Sequence, residues 1–202
     1  MSAKSEHQPW MRPVEPGPTV QKVDALPELQ ALPPRVLKKV RPGEAFHFGF
    51  DVVVEPAEGC GKRAWVSSPL PGAPVFSIYS DEGRGVGGDE AAPPPLAYFT
   101  AGVGFCLMTH ITGYLKRRPL RINKLSIEMR GNYWTRLGHV SDAGEGEGGC
   151  DNFETCVLID SDEDPELLKE FVAMCEQACI ASRTIAAAVP ASLQVVVNGQ
   201  PH

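Results

Sequence analysis

Between Ala45 and Val54 the chain alternates: Phe46, Phe48, Phe50, Val52 and Val54 take every second position, with His47, Gly49 and Asp51 among the residues between them. A period of two predicts a strand with one apolar face. "RAWVSS" and "PVFSIYS" are shorter strand candidates, separated by Pro69, Pro71 and Gly72. The period changes at Pro95. Leu96, Phe99, Val103, Cys106 or Leu107, His110 and Tyr114 recur at spacings of three and four, the mark of a helix with an apolar face. Pro95 suits its first position, where a missing N–H costs nothing. The basic "KRRPLR" with its proline suits its end. Gly102 and Gly104 are poor helix formers, so their expected use is close approach of another helix or backbone.

Alternation returns in "INKLSIEMRGNYW", at Leu125, Ile127 and Met129, and "FETCVLID" reads as a second strand with Cys156 packing on one face. "GHVSDAGEGEGGCDN" between them is expected to be a flexible loop. Asp164-Pro165-Glu166 combines a cap, a proline and an acid at a helix start. "ELLKEFVAMCEQACIASRTIAAA" is then expected as one amphipathic helix, and "SLQVVV" as a short closing strand. The order is three strands, helix, two strands, helix, strand. That order predicts an α+β domain with a mainly antiparallel sheet.

Residues 1–35 are rich in proline and lack a period, which predicts an extended tail or docking arm with Trp10 and Met11 as candidate anchors. Residues 36–202 are expected to form a single domain. "DEGRGVGGDEAAPPP" reads as a long acidic, glycine-rich loop, a candidate wall for a site.

Composition narrows the function classes. A net charge of −6 argues against nucleic acid as a partner, because phosphate binding needs a basic footprint. The apolar run around Cys106 is broken by Gly102, Gly104, Thr109 and His110, so no membrane span is expected. "MSAKSEHQPW" has no apolar core of a secretory signal, and a cytoplasmic location is the expectation.

The candidate chemistry lies in the cysteines: Cys60, Cys106, Cys150, Cys156, Cys175 and Cys179. In a reducing compartment they are mostly free thiols. None forms a CxxC pair, so a zinc ribbon or finger is not expected. Cys175 and Cys179 stand four apart on one helical face, while Cys106 belongs to the other helix. If the apolar faces pack together, a thiol from each helix can meet. A disulfide then needs Cα atoms within roughly 7 Å. The competing reading is inert packing, since free cysteine is commonly a small buried hydrophobe. Cys106, His110, Cys175 and Cys179 would be a legal zinc set, but no flanking turn chemistry supports it and no metal is expected. The chain has no GxSxG elbow, and "GRGVGG" lacks the context of a phosphate loop.

Three stretches resemble the OsmC/Ohr family of osmotically inducible and organic hydroperoxide resistance proteins. They are "SDEGRGVGGDEAAPPPLAYFTAGVGFC", "INKLSIEMRGNY" and "FVAMCEQACIASRTI", within a likeness running from about Val36 to Val197. The resemblance implies an OsmC-like α+β fold with mainly antiparallel sheets and two long central helices, assembled as an intertwined homodimer. It implies a thiol-dependent peroxidase that reduces organic hydroperoxides, needs an external dithiol reductant and uses no cofactor. By the same resemblance Cys106 is the peroxidatic thiol and Cys179, rather than Cys175, the resolving one. The family's thiolate-steadying arginine has three candidates here, Arg41, Arg63 and Arg84. Leu96 stands where the family has a glutamate after the helix-starting proline, with Glu82, Asp89 or Glu90 as candidate replacements. Ile180 stands where the family's second cysteine is followed by proline. His110 and Cys175 are candidate supporting residues. Two other readings accompany this one. The first is a non-catalytic OsmC-fold protein binding a hydrophobic small molecule between helices and interface. The second is sulfenylation sensing with Cys175 as the resolving partner.

Overall fold

The computed structural model describes residues 18–33, 41, 43–136 and 146–201. The chain divides into two compact units, Met1–Pro95 with Gln194–His202, and Leu96–Leu193.

The first unit holds an antiparallel sheet of β1 (Val20–Val23), β2 (Asp51–Pro56), β3 (Lys62–Ser67) and β4 (Val75–Ser80), in the order β1-β4-β3-β2. Val53 lies opposite Trp65, and Ala64 opposite Ile78. Gly59, at φ +66, takes the left-handed turn between β2 and β3 that a side chain would resist. The alternating stretch at 45–54 becomes strand only at Asp51. A period of two specifies a face and not a partner: β3 ends at Ser67, opposite Asp51, so Phe46, Phe48 and Phe50 have no ladder to join. Their exposed rings pack on one another instead, with centroids 5.7 and 6.4 Å apart. β1 lies inside the proline-rich 1–35 stretch, where four residues are too few for a period to show. Trp10 and Met11 lie outside the described residues. The closing strand is a two-residue hairpin arm, β7 (Val196–Val197), paired with β8 (Gln200–Pro201). Asn198 and Gly199, both at positive φ, form its turn.

The second unit is built on a long hairpin of β5 (Ile122–Arg136) and β6 (Glu147–Ser161). Its helices are α1 (Pro95–Leu115), α2 (Pro165–Ala178) and α3 (Ile180–Ile185). Leu107 and Ile111 of α1 meet Phe171 and Cys175 of α2 and Cys179 in a buried core. Leu125, Ile127 and Val157 of the hairpin pack against that core, which is why the alternation at 125–129 was legible. The α+β class with antiparallel sheets stands as expected.

Several elements differ from the expected ones. β6 begins inside the glycine-rich stretch expected as loop; residues 137–145 lie outside the described residues. Gly149 hides the strand signal for a packing reason: a Cβ there would come within 2.7 Å of the Trp134 indole. Cys156 is exposed on β6 rather than packed. The glycines of α1 do not serve a helix crossing within this unit. A Cβ on Gly102 would meet open space, and one on Gly104 would meet Met129 Sδ at 4.0 Å. By length and composition alone α1 could cross a membrane (mean hydropathy 1.2), yet Val103, Leu107 and Ile111 are buried within the fold itself.

The largest difference is at the second helix, which is two helices. Cys179 adopts an extended conformation, φ −71 and ψ 109, ending α2 and opening α3. Its thiol accepts the Ser182 N–H at 3.5 Å, a capping bond that periodicity cannot announce because cysteine is not a usual cap.

Candidate functional site

Cys106 is held mid-helix on α1, partly buried beside the core of Leu107, Ile111, Phe171, Cys175 and Cys179. The Asp164 carboxylate, which accepts the Glu166 N–H at 3.0 Å, starts α2, with Pro165 at its first position. From there Phe171, Cys175 and Cys179 follow at intervals of four and face inward. The break at Cys179 lies beside Cys106, whose side chain packs against the core that holds the Cys179 thiol. Cys179 and the first backbone amides of α3 are the electrostatic neighbours of Cys106.

These contacts oppose one another electrostatically. Burial pushes the Cys106 thiol above its ordinary value, and the neighbouring Cys179 adds to that shift. The Ala181 and Ile180 N–H groups pull it down, since each favours a thiolate. Burial wins. Cys175, fully buried one turn before Cys179, is also pushed up by desolvation and has only packing around it. Its environment is that of an inert core thiol. His110 lies on the same helix as Cys106 and is half-buried. Among the described residues no group of three or more histidine, cysteine or acidic side chains is arranged to hold a metal ion.

The remaining candidates belong to the first unit. The Arg63 guanidinium donates to Ser77 Oγ at 2.8 Å and lies over the Tyr79 ring, 5.4 Å from its centroid. Arg84 is largely exposed and pairs with Glu90 at 3.3 Å. Arg41 is exposed, and its backbone N–H donates to the Glu44 carboxylate at 3.0 Å. Glu82 pairs with Lys62. Asp89 contributes to this loop through its backbone, donating to Asp81.

Asp81 is the residue that sequence reasoning missed. It is 2% exposed and accepts N–H bonds from Glu82 at 2.8 Å, Asp89 at 3.1 Å and Ala91 at 3.0 Å. The glycine-rich loop is therefore wound around one carboxylate. Burial pushes this carboxyl up, but the three N–H bonds and nearby Lys62 outweigh it and hold Asp81 below its ordinary value. Gly88 completes the winding, because a Cβ there would run into the Glu82 backbone. One acid among several in an acidic loop offers no sequence signal for this role.

An open groove of about 750 Å³ lies between α1 and β5. Leu96, Gly104, Phe105, Met108 and Met129 line it, and Tyr133 hydrogen-bonds Thr100 at one side, O···O 2.8 Å. Leu96, at the position expected for a carboxylate, is thus part of an apolar wall.

Residues 87–194 match the family described as OsmC-like protein. No curated protein matches the chain significantly. Among solved structures the chain is similar to an OsmC-like hydroperoxide resistance protein from Jannaschia sp. CCS1, at 23% identity and TM-score 0.48, covering 74% of this chain and 93% of that one. It is similar to an OsmC-like protein from Mycoplasma pneumoniae, at 19% identity and TM-score 0.48, covering 70% and 89%. An organic hydroperoxide resistance protein OsmC from Legionella pneumophila matches at 15% identity and TM-score 0.46, covering 67% and 88%.

Proposed function

On the premise that the chain belongs to the OsmC-like protein family, we propose that it is a thiol-dependent redox protein that reduces organic hydroperoxides through Cys106 and Cys179. The observation that carries this reading is the packing of Cys106 against the core that holds Cys179, one thiol partly accessible and the other fully buried. In the reaction the Cys106 thiolate attacks the distal peroxide oxygen. The O–O bond breaks, Cys106 becomes a sulfenic acid, and the alkoxide takes a proton and leaves as the alcohol. The Cys179 sulfur then attacks the Cys106 sulfur, water leaves, and a disulfide forms. An external dithiol restores both thiols by exchange.

Burial pushes the Cys106 thiol up, and a positive partner would favour the thiolate that reacts. The candidates remain Arg41, Arg63 and Arg84, of which Arg63 has its guanidinium held by Ser77 and Tyr79. The active form is proposed to be a homodimer. Phe105, 73% exposed on α1, and the half-exposed Leu96 and Phe99 are apolar surface for a second copy to cover. The site is proposed to work in the cytoplasm, where dithiol reductants keep thiols cycling. The test is hydroperoxide consumption with a dithiol present: the wild-type chain turns over and Cys106→Ser does not. Equal rates would reject the assignment.

A second reading has its own observation. The apolar groove between α1 and β5 favours a non-catalytic role in which a hydrophobic small molecule is bound there. Native mass spectrometry of the purified protein distinguishes the two, since only this reading expects a retained apolar ligand without hydroperoxide turnover.

A further inference from the structure

Besides the groove between α1 and β5, the second unit has one of about 660 Å³ walled by α1, β6 and residues on either side of the α2–α3 break. Cys150, Asp151, Asn152 and Phe153 of β6 all line it, although neighbours on a regular strand point to opposite faces. The register explains this. Asn152 pairs with Asn132 and Cys150 with Tyr133, so Asp151 has no partner and forms a bulge. A bulge re-aims side chains, and here it turns four consecutive residues toward one space. Phe153 is fixed edge-to-face against the rings of both Phe99 and Tyr133, with centroids 5.9 and 5.8 Å away.

The charge of this groove is one-sided. Glu176 and Asp151 line it, and among the described residues no lysine, arginine or histidine does. The Glu176 carboxylate is half-buried and, among the described residues, has no hydrogen bond or ion pair. It also stands in the last turn of α2, which holds no basic residue, at the negative end of the helix dipole. We propose that the groove binds a small organic cation, an arylalkyl amine, whose ammonium group meets Glu176 and Asp151 while its apolar body lies on Phe99, Phe153 and Ile185. An ammonium is drawn both to carboxylates and to aromatic faces. The volume lies within the roughly 300–1,000 Å³ of sites for small organic molecules. The groove between α1 and β5 has no charged residue in its wall and would not make this selection. The site does not use Cys106 and stands apart from the hydroperoxide reading.

The probes are 2-phenylethylamine, charged at neutral pH, and its neutral counterpart 2-phenylethanol, titrated into the full chain by isothermal calorimetry. The amine is expected to bind about tenfold more tightly than the alcohol, the worth of one charge-assisted contact. Glu176→Gln keeps the shape of the side chain and should bring the amine down to the affinity of the alcohol. Two thiols locate the site: Cys150 lines the groove, while Cys156, exposed on the same strand, does not. Saturating amine should slow the alkylation of Cys150 by iodoacetamide and leave that of Cys156 unchanged, read by peptide mass mapping. This readout needs no variant, so it decides the matter should Glu176→Gln fail to fold. Amine binding no tighter than that of the alcohol, undiminished binding to folded Glu176→Gln, or Cys150 alkylated as fast with the amine as without it would each overturn the proposal.

Discussion

Cys106, half-buried on α1, packs against the core that holds Cys179, fully buried where α2 breaks into α3. The asymmetry separates two like groups by access: a reagent from solution can reach the first and not the buried second.

Removing the second thiol should therefore stop the reaction halfway. Cys179→Ala is expected to accumulate a sulfenic acid on Cys106 after hydroperoxide, trapped by a dimedone-type probe and read by mass spectrometry. Wild-type chain treated alike should give little of that adduct, because the disulfide forms first.

Cys175 should behave as core. Cys175→Ser buries a hydroxyl where only packing surrounds it, and is expected to cost about 1–3 kcal/mol in urea unfolding. Disulfide formation between Cys106 and Cys179 should survive. Loss of that bridge in the folded variant would return Cys175 to the list of resolving thiols.

Both raised thiols make stability fall with alkali. A thiol whose folded value lies above its unfolded value leaves the native state holding more protons between the two. Its contribution is complete below the ordinary thiol value and is lost as pH rises through the folded one. Urea midpoints measured across that alkaline window should decline for the wild-type chain. The decline should shrink in Cys175→Ala.

Asp81 carries the opposite sign. Its carboxyl is held below the ordinary range, so its contribution is complete above that range and is lost as pH falls through the depressed value. Asp81→Asn presents an NH₂ to donors and should cost about 1.5–3 kcal/mol at neutral pH, measured by urea unfolding, with the penalty shrinking in acid. Equal stability of the two proteins at neutral pH would mean that the loop does not depend on this carboxylate.

The inward faces of the hairpin and of the helices were readable in the chain because each has one apolar side. Leu125, Ile127 and Met129 keep the period of two, and Phe171, Cys175 and Cys179 keep the interval of four. What escaped was whatever depends on a partner distant in sequence. The phenylalanines at 46, 48 and 50 show a strand's alternation but lie beyond the end of β3. Gly149 reads as loop until the Trp134 ring above it is known. Asp81 looks like its acidic neighbours until its three amide donors are counted. The break at Cys179 is the instructive case. The spacing that placed its thiol inward is helical, yet the residue itself is extended, and its thiol accepts the Ser182 N–H that the break frees.

The most direct test of the account is peptide mapping after one equivalent of an organic hydroperoxide, with free thiols blocked before digestion. The account predicts a single new disulfide joining the peptides that carry Cys106 and Cys179, with Cys175 still free. Recovery of Cys106 and Cys179 as free, blocked thiols would contradict it.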